Sequence, residues 1–404
     1  MNEAAVSSRY VDKVAGAKNR DDQTDTAFRP DAVNSKGVPF VSATSISVKA
    51  SKGLHSSLRH KSVQFKKRNV GVKVIRTYSY KELQNATDDF SPANKVGEGG
   101  FGSVYKGRLK NGKLVAIKVL SSESKQGVRE FLNELSMISN VFHENLVKVH
   151  GCCVDGKHRI LVYDYLENNS LARMLLGAGH SDTQFNWETR AKICIGIARG
   201  LAFLHEEVHP HVVHRDIKAG NILLDKHLNP KISDFGLAKL LPANMSHVST
   251  RVAGTIGYLA PEYAMHGKLT RKADVYSFGV LLLEIVSGRC NTNTRLPYEE
   301  QFLLERIWAL HEKGELEAII DKSLDDDLNV EEAYRFMKVG LLCTQDVPKL
   351  RPSMSVVVKL LSGDIDVDSF NIRKPGMITD FMDLKVRTKE QQVSPNVLSL
   401  VSLK

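Results

Sequence analysis

Two hydrophobic periods occur along this chain, and the place where one gives way to the other divides it. Residues 80–87 predict a short helix, broken over 88–92 by acidic residues, Ser and Pro. Ser103-Val104-Tyr105 and residues 114–120 predict strands, and Asn111-Gly112 between them is a hairpin signal. Residues 129–138 set Phe131, Leu135 and Ile138 on one face of a helix, and 160–165 predict a further apolar strand. After Glu167 the period turns helical. Ile193, Ile197, Leu201 and Leu204 recur at helical spacing, as do the apolar positions of 275–286 and 336–343. A strand-rich part followed by a helix-rich part predicts an α+β fold of two lobes. No internal repeat interrupts this order.

The first 76 residues carry no such period. They hold too few apolar groups to offset the entropy of ordering, which predicts a disordered arm over 1–76 and a short helical lead-in over 77–89. The arm also concentrates the charge. Of the net +10, residues 1–76 contribute 15 Lys/Arg against 6 Asp/Glu, whereas the other 41 basic and 40 acidic residues nearly cancel. Residues 49–76 carry nine Lys/Arg and no acid, with Lys66, Lys67 and Arg68 consecutive. Such a run is drawn to an anionic membrane by about 1 kcal/mol per basic residue near the surface. It also fits a nuclear import signal, and equally a solvated tail without a dedicated partner.

Apolar stretches such as 278–283 are far shorter than the roughly 18 residues of a membrane span. No short apolar core marks a secretory signal, and Asn2 stands where N-myristoylation requires Gly. Five cysteines without a Cys-x-x-Cys pair argue against a disulfide framework or zinc ribbon, and for a reducing compartment. The expectation is a cytoplasmic protein, peripheral at the plasma membrane if the arm binds lipid, with a nuclear fraction also open.

Chemistry enters at Gly97-Glu98-Gly99-Gly100-Phe101-Gly102-Ser103-Val104. Glycines there let a backbone turn approach phosphate oxygens that a Cβ would obstruct. A dinucleotide loop would lead into a helix with an acid about 20 residues on. This one leads into a strand, and the residue in range is Lys118 of Val115-Ala116-Ile117-Lys118, which suits the α- and β-phosphates of ATP. A buried lysine requires a partner, and Glu134 on the following helix is the expected one.

Further on, His214-Arg215-Asp216-Ile217-Lys218-Ala219-Gly220-Asn221 brings together what phosphoryl transfer to a hydroxyl needs. Asp216 would orient and deprotonate the hydroxyl, and Lys218 would neutralise the γ-phosphate. Asn221 and Asp234, the latter in Asp234-Phe235-Gly236, offer hard oxygens to Mg²⁺.

In this order, these motifs resemble the eukaryotic protein kinase family over residues 90–363. The resemblance implies a two-lobed kinase fold, with a β-rich N-lobe over 90–166, an α-helical C-lobe over 167–363 and a C-terminal tail over 364–404. It implies ATP and Mg²⁺ as cofactors, with Val96, Gly97, Glu98, Gly99, Gly102, Val104 and Lys118 on the nucleotide. Ala260-Pro261-Glu262, Asp274 and Arg351 match the family's scaffold positions, with Arg351 paired to Glu262 and Asp274 supporting the catalytic loop. Residues 78–90, 123–133 and 248–261 resemble plant receptor-like cytoplasmic kinases, related to the interleukin-1-receptor-associated kinase group, and the central region is similar to their cold-responsive branch. In that group Tyr163 would lie behind the adenine pocket, with Asp164, Tyr165 and Leu166 as its hinge.

Lys218 and Thr255 match serine/threonine rather than tyrosine specificity. Arg215 implies control by phosphorylation, because it is expected to be unpaired until a phosphate orders the activation segment. Ser246, Ser249, Thr250 and Thr255 are the candidate hydroxyls, Thr250 first. Gly220 replaces the family's frequent Ser or Ala and is expected to loosen the catalytic loop. Implied partners are protein substrates and an upstream receptor kinase; no nucleic acid is implied, and a monomer is expected.

Two rival readings use the same residues. His205-Glu206-Glu207-Val208-His209 fits the zinc-protease pattern His-Glu-x-x-His, but Pro210 would end the helix that must present His209. A binding scaffold without turnover is disfavoured because Lys118, Glu134, Asp216, Asn221 and Asp234 are all present.

Overall fold

A computed structural model describes residues 61–64, 74–99, 102–120, 125–138, 141–176, 185–297 and 300–377. The consecutive basic residues Lys66, Lys67 and Arg68, with most of the expected arm, lie outside them, as do Gly100 and Phe101. The described residues fall in two units, one including 61–120 and 150–162, the other including 125–149 and 163–377.

In the first unit, apolar alternation in 114–120 makes the middle of a sheet. Strand β5 (Leu114–Leu120) buries Val115, Ile117 and Leu120. It pairs antiparallel with β4 (Gly102–Arg108), which pairs antiparallel with β3 (Lys95–Gly99). The Asn111-Gly112 turn closes the β4–β5 hairpin, with Gly112 at φ +80° and its N–H on Leu109 O at 2.8 Å. Among the described residues, β1 (Lys61–Gln64), β2 (Val74–Thr77), β6 (Val149–Asp155) and β7 (His158–Asp164) extend the sheet to seven members in the order β1-β2-β6-β7-β5-β4-β3.

Helix α1 (Tyr80–Ala86) is capped by Ser79, whose hydroxyl accepts from the Glu82 N–H. Its Leu83 enters the sheet's core with Tyr78, Leu109, Cys153, Ile160 and Val162, so the lead-in is part of this unit. The boundary of the arm requires correction. Strands β1 (Lys61–Gln64) and β2 (Val74–Thr77) lie within or across residues expected to lack structure. They pair antiparallel, β2 runs parallel to β6, and Ile75 is buried. A four-residue strand is too short to carry a readable period, and a neighbouring sheet edge supplies the pairing that its composition does not.

The second unit is helical. It contains α2 (Lys125–Ile138), α3 (Leu171–Leu175), α4 (Trp187–Ala202), α5 (Pro261–His266), α6 (Arg271–Ser287), α7 (Leu303–Lys313), α8 (Val330–Thr344) and α9 (Met354–Ser362). Helix α6 is buried along almost its whole length, from Ala273 to Ser287. That fits a segment with little amphipathic contrast, which belongs inside. It packs on α8 at Gly279, where an added Cβ would meet Cys343 Cβ at 2.7 Å.

The expected bounds 90–166 and 167–363 are crossed by contacts within the helical unit. Helix α2 and residues 141–149 cluster with the helical unit. Asn133 Nδ2 donates to the carbonyls of Phe235, Gly236 and Ala238, and Val147 N donates to Ile232 O. The tail begins later than expected. Residues 364–377 pack on the helices, with Tyr276 Oη donating to Gly376 O at 2.6 Å and Met377 buried. No helix among the described residues is long and apolar enough to cross a membrane.

Candidate active site

The loop 214–221 is held from beneath by one carboxylate. Asp274, in the first turn of α6, is fully buried and accepts the N–H groups of His214 (2.7 Å) and Arg215 (2.8 Å), with His205 Nε2 at 2.9 Å. Burial alone would raise its carboxyl. The hydrogen bond and charge of His205, the charge of His214 and the Arg215 N–H more than offset this and hold it below the ordinary value. His205 thus has its place in the scaffold, and the His-Glu-x-x-His spacing begins in a π-helical turn, Phe203–Glu207, that stops before His209, so the two histidines share no helix. Short strands position the rest: β8 (His211–Val213) pairs with β11 (Lys239–Leu241), and β9 (Ile222–Leu224) with β10 (Pro230–Ile232).

On this base four predicted residues converge. Lys218 Nζ lies 3.0 Å from Asp216 Oδ2 and donates to Thr255 Oγ1 at 2.7 Å. Thr255 Oγ1 in turn donates to Asp216 Oδ1 at 2.6 Å. Asn221 Nδ2 donates to both the backbone oxygen and Oδ2 of Asp216, each at 2.8 Å. Because the amide is planar, this bond turns the Asn221 carbonyl oxygen the other way. Ser233 ties Asn221 to the next segment through N–H and hydroxyl bonds to its backbone oxygen. Asp234 follows directly, in the left-handed region at φ +66°, and Phe235 is buried edge-on to His214 at 4.8 Å. A non-glycine residue at positive φ is uncommon, and here it occurs where an expected metal ligand stands.

Glu134 lies buried on α2 beside the buried Tyr163. Burial first, then the charges of Glu134 and Asp234, push the Tyr163 hydroxyl well above its usual range. Asp164, Tyr165 and Leu166 follow partly exposed, with Asp164 N donating to Lys148 O. In the first unit, Val96, Gly97, Glu98 and Gly99 lie on β3 and Gly102 and Val104 on β4. Val104 is in register with both Gly97 and Lys118 of β5. Gly102 has φ +141°, and a Cβ there would sit 2.0 Å from Val119 O, so the strand after the loop requires glycine.

Residues 90–361 match the family described as protein tyrosine and serine/threonine kinase. The chain is 67% identical over 326 residues to cold-responsive protein kinase 1 of Arabidopsis thaliana, covering 79% of this chain and 84% of that one. This chain belongs to the protein kinase family. The kinase is also 55% identical over 305 residues to a probable LRR receptor-like serine/threonine-protein kinase of Arabidopsis thaliana. A probable leucine-rich repeat receptor-like serine/threonine-protein kinase of the same plant is 56% identical over 294 residues. The match covers 76% and 73% of this chain but only 29% of each receptor-like protein. By its family and relatives the enzyme class is serine/threonine protein kinase.

One expectation about the kinase is corrected. Arg215 is not unpaired: its guanidinium donates to Tyr263 Oη (3.0 and 2.5 Å), Leu237 O (2.8 Å) and Arg251 O (2.8 Å). These acceptors are neutral oxygens of the activation segment and its end, so the donors are satisfied without an opposing charge. The Tyr263 hydroxyl, which also accepts the Ala253 N–H, was not legible in the sequence, since a tyrosine after Ala-Pro-Glu carries no spacing signal. Asn133 escaped for the same reason. Among the candidate hydroxyls, Ser246 and Ser249 are exposed, Thr250 is half-buried and Thr255 is engaged with Asp216. Arg351 meets Glu262 through two bonds of 2.8 and 2.9 Å, as expected.

Proposed function

We propose that this kinase transfers the γ-phosphate of ATP to Ser/Thr hydroxyls of protein substrates through Asp216, Lys218, Asn221 and Asp234, with Lys118 and Glu134 as further catalytic residues. The observation that carries this is the closed set of contacts among Asp216, Lys218, Thr255 and Asn221. The Asp216 carboxyl, beside an ammonium and a threonine hydroxyl, would accept a substrate's hydroxyl proton. Lys218 is placed to meet charge at the transferred group, and partial exposure of its side chain, at 28%, leaves it reachable.

The donor set suits Mg²⁺: the Asn221 carbonyl oxygen, freed by its amide's bond to Asp216, and the Asp234 carboxylate are hard oxygens. When bound, the ion would neutralise phosphate charge. Val96, Gly97, Glu98, Gly99, Gly102, Val104 and Lys118 would serve the phosphates, and Tyr163, Asp164, Tyr165 and Leu166 would serve the adenine.

Regulation by phosphate on the activation segment is part of the same reading. The Arg215 guanidinium meets neutral oxygens of Tyr263, Leu237 and Arg251, so a phosphate there would add an anionic partner, with Thr250, adjacent to Arg251, the favoured acceptor. The receptor-like relatives support an upstream receptor kinase as activator. The basic run supports peripheral contact with anionic membrane, within a cytoplasmic setting.

The test is transfer of labelled phosphate from ATP with Mg²⁺ to a generic basic protein, wild type against Asp216→Asn. Loss of the general base should lower the rate about 10²-fold or more. Equal signals from both proteins would refute the assignment.

A further inference from the structure

Thr255 Oγ1 is bonded to the Asp216 carboxylate, so the segment that carries Thr255 borders the place where a substrate hydroxyl would meet Asp216. How that segment, residues 254–258, keeps its height is therefore a question about substrate binding. It contains two glycines with positive φ, Gly254 at +134° and Gly257 at +93°, so its backbone alone is permissive. Three side chains restrain it. Ser277 Oγ donates to Tyr258 O at 2.6 Å, and Tyr258 Oη donates to Glu284 Oε2 at 2.6 Å. The third is Asn291, from the stretch that follows α6.

Asn291 is buried and bridges the two ends of this arrangement. Its backbone N–H donates to Glu284 Oε1 at 2.6 Å, and its side-chain Nδ2 donates to Gly257 O at 2.8 Å. Its own carbonyl accepts Leu303 N at 3.0 Å, which anchors it to the start of α7. The fit against Gly257 is tight, since a Cβ there would lie 2.5 Å from Asn291 Nδ2. A backbone carbonyl two residues from Thr255 is thus pinned by a side chain 34 positions away, through a residue that touches none of the reacting groups.

We infer that Asn291 is a positioning residue for protein-substrate binding, holding residues 254–258 beside Asp216 through Gly257. The inference rests on the phosphoryl-transfer reading and adds a separable consequence: affinity for the protein substrate depends on this amide, and affinity for ATP does not.

The test is steady-state kinetics of the full chain carrying Asn291→Ala, with the basic protein varied at saturating ATP and Mg²⁺, and then ATP varied at fixed protein. Losing one buried hydrogen bond corresponds to a change of about 3- to 10-fold. KM for the protein should rise by that factor, with KM for ATP and kcat within about twofold of wild type. Asn291→Ser, a smaller polar change that also cannot reach Gly257 O, should give the same split if the alanine variant does not fold. An unchanged KM for the protein, an equal rise in both KM values, or a fall in kcat alone would overturn the inference. A wild type that transfers no phosphate would sink the kinase reading itself.

Discussion

Glu284 offers a direct way to measure how α6 holds the substrate segment. Its carboxylate is buried in the middle of the helical unit, and burial raises its pKa from the ordinary 4.5 to about 7. The Tyr258 hydroxyl and the Asn291 N–H work in the opposite direction, but only partly. The gap of about 2.5 units corresponds to about 3 kcal/mol at 1.36 kcal/mol per unit. The sign follows from which state binds the proton more tightly. The folded protein does, so this stability is fully present below pH 4.5 and is lost as pH rises through 7.

Glu284→Gln removes the titration while keeping a carbonyl acceptor for Tyr258 or Asn291. Relative to the variant, the wild type should therefore lose about 3 kcal/mol between pH 4.5 and 8. That is on the order of 5 °C in Tm for a domain of this size. The assay is thermal unfolding of both proteins in half-unit steps of pH, and the quantity of interest is the difference between them, in which all other titrating groups cancel. Parallel curves would mean that the buried carboxylate does not titrate in this window, and the reasoning would fail.

Three further outcomes test other parts of the structure. Asp274→Asn exchanges a carboxylate that accepts two backbone N–H groups and faces His205 for an amide with one acceptor oxygen; it should lower kcat at least tenfold and cost about 3 kcal/mol or more, read from turnover and urea unfolding. Gly220→Ala should be neutral or stabilising by about 0.4–1 kcal/mol with turnover within twofold, because Gly220 lacks positive φ and an added Cβ would meet nothing closer than Lys218 Cε at 3.8 Å. Arg351→Met would strand Glu262 beside a neutral side chain, and unfolding should show a loss of about 3–5 kcal/mol.

At Gly220 the sequence and the structure suggest different things. A glycine in the catalytic loop suggested looseness, yet its neighbours are fixed by Asp274, Asn221 and Thr255, so the loop does not depend on that position for its order. What was legible was chemistry written in consecutive residues. The stretch 214–221, the Asp-Phe-Gly triplet and Thr255 suggest their proposed roles because each role requires one residue type at one place. The N- and C-terminal boundaries were not legible. Residues 61–64 and 364–377 are held by strand pairing and by backbone groups such as Gly376 O, which any sequence of suitable length could supply.

The same distinction explains which functional residues were missed. Asn133, Tyr263 and Asn291 each act through a hydrogen bond to a partner remote in sequence, and in each case that partner belongs to the segment between Arg215 and the end of α5. They hold it at three successive points: the Asp-Phe-Gly turn, the middle of the activation segment, and the turn after Thr255. Asn and Tyr at such positions have no period and no motif, because geometry alone selects them. The residues proposed to perform the transfer are thus readable from the chain, whereas those that hold the neighbouring segment in place become apparent only when separate elements are brought together.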